Sequence, residues 1–145
     1  MTQHLAADPA FYKIVNGTFV THAAGTQAHL TSPYPRAIVN SLRTILTCDA
    51  NVANRYLMVS FWLNGVAPFL FIDPIPITAG QTADISIAPF IPYSHVALAV
   101  PTISIPLPPD LELNIADYLI LDCLNLQVGD DFTPSYFQLK VWEAL

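Results

Sequence analysis

The stretch Tyr118-Leu-Ile-Leu-Asp-Cys-Leu-Asn-Leu-Gln-Val128 decides the fold class of this chain. Every second residue from Tyr118 onward is apolar except Asp122, and the intervening residues are apolar until Asn125. A strand with one buried face alternates apolar and polar residues, whereas a strand buried on both faces is apolar throughout. The stretch therefore predicts a long central strand over 118–128, covered on both sides at one end, with its exit turn at Gly129-Asp130.

Further strands are predicted before and after this one, separated by proline and glycine breakers. No stretch has the periodicity of an amphipathic helix. Short strands at regular spacing indicate an all-β fold, namely an antiparallel, jelly-roll-like β-sandwich of about eight strands. Asn64-Gly65 predicts a tight hairpin turn between two of them. Besides 118–128, the predicted strands cover residues 36–48, 55–63, 66–72, 82–87, 96–105, 111–113 and 134–142.

Residues 1–35 are predicted to stand apart from a sandwich domain over residues 36–145. Within them, Asn16-Gly17 separates two β-rich runs and predicts a hairpin over residues 11–20, because this dipeptide suits a turn with two positive φ angles. The following residues, 21–35, have no clear periodicity and are interpreted as a linker. Two interpretations stay open: an N-terminal arm that reaches a neighbouring molecule, or a hairpin that belongs to the main sheet.

The composition predicts a protein that works with partners. Only 11% of the residues are charged and 53% are hydrophobic, against roughly 25% charged residues in ordinary soluble domains. Large exposed apolar patches usually mark interfaces, so we expect an oligomer or a subunit of a larger assembly. The net charge of −6 and five scattered basic residues argue against nucleic acid as a partner, because phosphates require a basic patch.

Neither a membrane span nor a disulfide framework is expected. The apolar stretches 56–77 and 85–109 are interrupted by prolines, which excludes an ordinary membrane-spanning helix. The first ten residues lack the features of a signal peptide, so we expect a soluble protein that is made in a cytoplasm. Cys48 and Cys123 are interpreted as two buried free thiols, although a single disulfide between them stays open.

The chain carries no motif for catalysis, a cofactor or a metal. It has no nucleophile elbow, phosphate-binding loop or paired metal-ligand motif, and we expect no enzymatic activity. Asp122 is the one acid within an apolar strand, and a structural ion pair with Arg43 or Arg55 is its favoured interpretation. A catalytic or calcium-binding role is the alternative.

Aromatic and aliphatic residues on predicted turns are the candidate interface residues. One group lies in the N-terminal hairpin, and the other lies on the loop over residues 89–94, where it either forms an interaction surface or caps the end of the sandwich. The candidates are Phe11, Tyr12 and Phe19 in the hairpin and Phe90, Ile91 and Tyr93 on the loop.

Four turn motifs occur in an order that resembles a family of small proteins encoded in the structural modules of tailed bacteriophages. They are an Ala-x-Val-Ala-x-Arg loop, an Ala-x-Gln-Thr strand start, a Leu-Pro-Pro turn and a Leu-Gln-x-Gly-Asp turn. The resemblance covers roughly residues 44–143. The matching stretches are Leu46–Arg55, Thr78–Ala83, Leu107–Leu111, Leu126–Asp131 and Val141–Glu143.

The resemblance implies a virion component, and a capsid decoration (cement) protein agrees best with the composition. Such a protein binds the major capsid protein on the outer face of the shell, often as a homotrimer, and bridges neighbouring subunits. A neck, tail or fibre component is the alternative. A carbohydrate- or ligand-binding β-sandwich is a second alternative, with Tyr56, Trp62, Phe90 and Tyr93 as a stacking platform.

Overall fold

The computed structural model describes residues 12–18, 24–31 and 34–142. Within these ranges the chain forms eleven β-strands and no helix, which confirms the predicted all-β class. The strands are β1 Tyr12–Thr18, β2 Ala28–Thr31, β3 Ala37–Thr47, β4 Tyr56–Leu63, β5 Val66–Ile72, β6 Thr82–Pro89, β7 Ser94–Val96, β8 Thr102–Leu107, β9 Glu112–Leu113, β10 Tyr118–Leu124 and β11 Asp131–Trp142.

The strands form two sheets that share one hydrophobic core. The large sheet has seven strands, in the order β1-β11-β3-β6-β8-β7, with β9 pairing with β3 as well. The small sheet has four strands, in the order β2-β10-β4-β5. All pairs are antiparallel except β6 and β8, which run parallel because the chain forms β7 between them. The arrangement confirms the predicted β-sandwich, and the strands beyond the eight predicted ones are β1, β2 and β7.

The core is built from alternate residues of facing strands. Leu46 and Ile85 of the large sheet and Val59 and Leu119 of the small sheet are all fully buried within one cluster. A β-bulge at Asn40 changes which residues of β3 face the core. Gln138 pairs with Ser41, but the next residue, Leu139, pairs with Val39, so Asn40 has no partner opposite it in β11. The extra residue reverses the facing of the strand, so Val39 is buried, whereas strict alternation predicts that Ile38 lies on the same face as Leu42.

The strand from which the fold was predicted is central to the small sheet but shorter than expected. Strand β10 lies between β2 and β4 and ends at Leu124. Asn125 has a φ of 62°, a left-handed conformation that a strand does not continue through. Residues 126–130 then form turns, with backbone hydrogen bonds from Leu126 to Cys123 and from Asp130 to Gln127.

The predicted turn at Asn16-Gly17 differs in the structure. Strand β1 runs without interruption through both residues and pairs with β11, with Asn16 opposite Gln138 and Gly17 opposite Phe137. Pairing with an existing sheet satisfies the backbone of a β-rich run, and this tertiary context overrides the local turn propensity. Strand β2, within the predicted linker, pairs with β10, so the described part of residues 1–35 contributes one strand to each sheet.

Two further predictions on turns have opposite outcomes. The hairpin turn at Asn64-Gly65 is confirmed, with φ angles of 53° and 76°, and it joins β4 to β5. The single strand predicted over 96–105 is wrong, because the chain bends after Val96 and forms two strands, β7 and β8.

Candidate interaction surfaces

Exposed apolar side chains concentrate on the side of the sandwich where β5 ends the small sheet and β7 ends the large sheet. We call this side the open side, and define it as residues 66–75 together with residues 90–100. Phe71 of β5 contacts Tyr93 with ring centroids 5.4 Å apart, so the two segments lie together. The exposed apolar residues of the open side are Val66, Leu70, Ile72, Ile75, Phe90, Tyr93, Val96, Leu98 and Val100.

Phe90 combines exposure with a strained backbone. The residue is 87% exposed and has a φ of 65°. A bulky residue in this left-handed region is a conformational outlier that costs about 1–3 kcal/mol, and such outliers cluster at functional sites. Neither burial nor local conformational preference explains a phenylalanine here, so the residue is the clearest candidate for a binding contact in the described chain.

A buried carboxylate, Asp73, holds residues 90–95 against the end of β5. Its Oδ1 accepts hydrogen bonds from the Tyr93 hydroxyl at 2.7 Å and from the backbone N–H of Ile75 at 3.0 Å. Its Oδ2 lies 2.6 Å from Nδ1 of His95, and both of these side chains are fully buried. Burial, followed by the hydrogen bond to Asp73, raises the pKa of Tyr93 to about 12. We call this cluster the Asp73 clamp.

The Asp73 clamp leaves one polar atom without a partner. A carboxylate only accepts hydrogen bonds, so Nδ1 of His95 carries the hydrogen that it shares with Asp73. The other ring nitrogen, Nε2, is buried and has no hydrogen-bond partner among the described residues. The clamp therefore buries the side chains of Asp73 and His95 and leaves Nε2 of His95 without a hydrogen-bond partner among the described residues.

The candidate interface residues that the structure describes lie in two separate places. Phe90 and Tyr93 lie on the open side, and Ile91 between them is half-buried. Tyr12 begins β1, at the opposite edge of the large sheet from β7. Phe11 and Phe19 lie outside the described residues, so their part in an interface stays a prediction.

A second surface is formed by three stacked rings on the outer face of the small sheet, which we call the aromatic face. Tyr118 of β10 lies between His29 of β2, at a centroid distance of 5.6 Å, and Trp62 of β4, at 6.1 Å. The planes are within 9° of parallel, so each ring turns a face to its neighbour rather than to solvent. Stacked pairs of this kind stabilise a fold by about 0.5–1.5 kcal/mol each.

The aromatic face does not provide the sugar-stacking platform considered from the sequence. Of the four residues proposed for it, Trp62 stacks on Tyr118, and Tyr56 lies six residues before it, about 20 Å along a strand. Phe90 and Tyr93 lie on the open side. A carbohydrate ring needs exposed aromatic faces close together, and these four residues are divided between two surfaces.

Asp122 lies on the aromatic face, but its partner is not an arginine. Its carboxylate accepts a hydrogen bond from Gln27 Nε2 at 2.9 Å and from the backbone N–H of Cys123 at 2.7 Å. The predicted ion pair with Arg43 or Arg55 is wrong, because both arginines have other acids much closer to them in the fold. Strand order explains the error: Arg43 lies in the large sheet and β10 in the small one.

Arg55 is the centre of a buried ionic network at one end of the sandwich. We call this end the turn end and define it as residues 49–55, 78–83 and 125–130. Its side chain is fully buried. Nε donates to Asp130 Oδ2 at 2.9 Å, Nη2 donates to Asp49 Oδ1 at 2.7 Å and to Asp130 Oδ1 at 3.0 Å, and Nη1 donates to the carbonyl of Ala53 at 2.8 Å. Each of the three guanidinium nitrogens thus has a partner, as a buried arginine requires.

The carboxylate of Asp130 is saturated with donors. Besides Arg55, the backbone N–H groups of Asp49 and Gln127 donate to it, each at 2.8 Å. Burial alone would raise the pKa of Asp130, but the hydrogen bonds from Arg55 and these N–H groups lower it below the usual value. Asp130 is therefore a charged hub that fixes two loops, whereas its position in the sequence suggests only a polar turn.

Three of the turn motifs identified in the sequence meet at the turn end. Arg55 and Asp49 belong to the motif over residues 46–55 and Asp130 to the motif over residues 126–131. The motif over residues 78–83 joins them through hydrogen bonds from Gly80 N–H to the Asp49 carbonyl and from Cys48 N–H to the Gln81 carbonyl. These motifs therefore hold separate loops of the fold together.

The two cysteine thiols lie next to this network and have low reactivity. Cys48 and Cys123 are both buried and free, as favoured from the sequence. Burial, with a smaller contribution from the Asp130 charge, raises the pKa of Cys48 to about 11. Burial also raises the pKa of Cys123, and the charge of Cys48 adds to it. Thiols in this state are poor nucleophiles.

An ion pair and a small cavity lie together on the outer face of the large sheet. Arg43 donates to both carboxylate oxygens of Asp84, at 3.2 Å and 2.8 Å. A cavity of about 270 Å³ lies beside it, lined by Arg43, Thr44, Ile45 and Tyr136. This volume is below the range of typical small-molecule pockets, and the one cation that lines the cavity is already paired.

Within the described part of the chain, no three or more His, Cys, Asp or Glu side chains are grouped so that they would hold a metal ion. The same residues include no helix long and apolar enough to cross a membrane.

A scan against protein-family models finds no model that matches this chain, and a search of curated proteins finds no significant match.

Proposed function

We propose that the chain is a structural protein of a virion that binds the outer surface of the capsid and bridges or stabilises neighbouring capsid subunits. The observation that carries the proposal is the open side, where apolar residues are exposed together on a chain with only 11% charged residues. Burying such a surface in an assembly contributes about 25 cal/mol per Å² before the cost of ordering is subtracted. The order of turn motifs over residues 44–143 supplies the link to phage structural modules.

The chemistry of the described residues supports binding rather than turnover. The buried carboxylates of Asp73, Asp117 and Asp130 all accept hydrogen bonds from the protein itself; those of Asp117 come from the backbone N–H groups of Asn64 and Asn114. Each therefore fixes a loop. An interaction protein has this pattern, because its loops must be held in place while its surface stays apolar.

The alternative is a neck, tail or fibre component with the same fold, and copy number separates the two. We expect purified virions of the encoding phage to contain the chain at a copy number comparable to that of the major capsid protein, measured by quantitative gel staining or mass spectrometry. A handful of copies per virion would support the neck, tail or fibre alternative. Absence from virions would refute both.

A further inference from the structure

The open side is distinguished by its lack of exposed charge. No Asp, Glu, Lys or Arg occurs in residues 85–109 or in β5. The two ionisable side chains that the open side does contain besides Tyr93, Asp73 and His95, are fully buried against each other. The apolar residues around them are thus exposed on a surface without a charged rim.

The charged residues of the described chain lie elsewhere and are largely paired. Arg43 pairs with Asp84 on the outer face of the large sheet, and Arg36 pairs with Glu112. Arg55 pairs with Asp49 and Asp130 at the turn end. These ion pairs and the carboxylate of Asp122 all lie outside the open side.

A surface without charge suits a second copy of the same chain. The chain has a net charge of −6, so two copies repel each other wherever their charged surfaces meet. In a symmetric oligomer, residues beside the rotation axis meet their own images, and any charge there faces a like charge. The open side avoids this repulsion, since it contains no exposed charged side chain among the described residues.

Among the described residues, both sheets also end on the open side, with β5 and β7 as their edge strands. Strand β5 is seven residues long and carries no charged residue, and natural proteins usually protect exposed edges with charges, very short strands or proline. Pro68 interrupts β5 near its start, whereas residues 69–72 pair regularly with β4. No other described strand pairs with residues 69–72, so a neighbouring copy is able to satisfy the backbone groups of this edge.

We propose that copies of this chain associate around a rotation axis through the open side, with Phe90 as the main anchor. The inference rests on the proposed function only in that a capsid-bridging protein works as part of an assembly. Phe90 is suited to the anchor role because its exposed ring is held in a strained backbone conformation, and aromatic residues dominate the energetics of protein interfaces. The Asp73 clamp fixes the loop that presents Phe90.

The test compares the mass of the full-length protein and two variants, measured by light scattering on a sizing column over a range of concentrations. Phe90→Asn removes the aromatic ring but tolerates the positive φ, because asparagine adopts left-handed conformations more readily than other non-glycine residues. Val52→Asn is the matched control, since Val52 is 97% exposed in the loop of the turn end.

We expect the wild type and Val52→Asn to have the same mass, a whole multiple of the 15.9 kDa chain. Phe90→Asn is expected to raise the dissociation constant about 30-fold, as for a hot-spot residue, while its melting temperature measured on dissociated protein stays the same or rises as strain is relieved. The last result separates a lost contact from a lost fold.

A wild type that stays monomeric at every concentration would overturn the inference, as would a Phe90→Asn variant that associates like the control. These outcomes are distinguishable from failure of the proposed function. A monomer that is abundant in virions would refute only the inference, and an oligomer that is absent from virions would refute only the capsid role.

Discussion

Two buried aspartates organise two regions of this molecule in different ways. At the turn end, Asp130 is paired with the guanidinium of Arg55 and accepts two backbone N–H groups. On the open side, Asp73 is paired with His95 and the hydroxyl of Tyr93, and Nε2 of His95 has no partner among the described residues. Each aspartate fixes loops from separate parts of the chain. In the Arg55 network every nitrogen of the guanidinium group has a partner, whereas in the Asp73 clamp one nitrogen of His95 has none.

We interpret this difference as a division between a region that stabilises the fold, the turn end, and a proposed binding surface, the open side. The turn end joins residues 49–55 and 125–130 through Arg55 and the carboxylates of Asp49 and Asp130, and backbone hydrogen bonds add residues 78–83. The open side holds its loop with fewer hydrogen bonds and exposes apolar residues, including the strained Phe90. A surface with these properties is stabilised further when another molecule covers it.

The largest effect is expected from breaking the turn end. Arg55→Met leaves two carboxylates without their buried cation and should lower the free energy of unfolding by about 3–5 kcal/mol, measured by urea denaturation. Arg43→Met is the control, because it removes an exposed arginine with a carboxylate partner and should have little effect. Equal losses in the two variants would contradict the role given to the buried network.

A smaller but clear effect is expected from breaking the Asp73 clamp. Asp73→Ala leaves the Tyr93 hydroxyl and Nδ1 of His95 without an acceptor, and should lower the free energy of unfolding by about 3 kcal/mol. Tyr93→Phe removes only one hydrogen bond and should cost about 1 kcal/mol. If denaturation gave the same value for both variants, Asp73 would not be the hub of the open side.

The pH dependence of stability should distinguish the two regions further. The pKa of Asp130 is lowered in the folded protein, so its contribution is complete above the unfolded value of about 3.9 and is lost as the pH falls through the lower folded value. We expect the stability of the wild type to fall below about pH 4, and that of Asp130→Asn to fall less steeply over the same range. Parallel curves would show that folding does not lower the pKa of Asp130.

Turns and strand bounds that depend only on adjacent residues were predicted well from the sequence. Strand β5 has the predicted bounds, because Asn64-Gly65 supplies the positive φ angles that a two-residue turn needs and regular strand sequence follows it. Asn16-Gly17 carries the same local signal and forms no turn, because β11 offers a pairing partner that no local pattern reveals. The bulge at Asn40 likewise depends on how β3 and β11 align.

The candidate surface was predicted only in part, for related reasons. Phe90 and Tyr93 were found as aromatics on a loop, but the clamp was not, since Asp73 and His95 are separated by 22 residues. Arg55 and Asp130 are separated by 75 residues, and the acid appeared to belong to an ordinary turn. The sequence did show that a chain with so few charges contains an arginine and several acids. Deciding which acid pairs with Arg55 requires the strand order.

The most direct test of this division is hydrogen–deuterium exchange of the wild-type protein at low and high concentration. The account predicts that concentration increases protection of backbone amides in residues 66–75 and 90–100, while residues 49–55 and 125–130 exchange equally at both concentrations. Protection that increases only at the turn end, or at neither region, would contradict the claim that the open side is the binding surface.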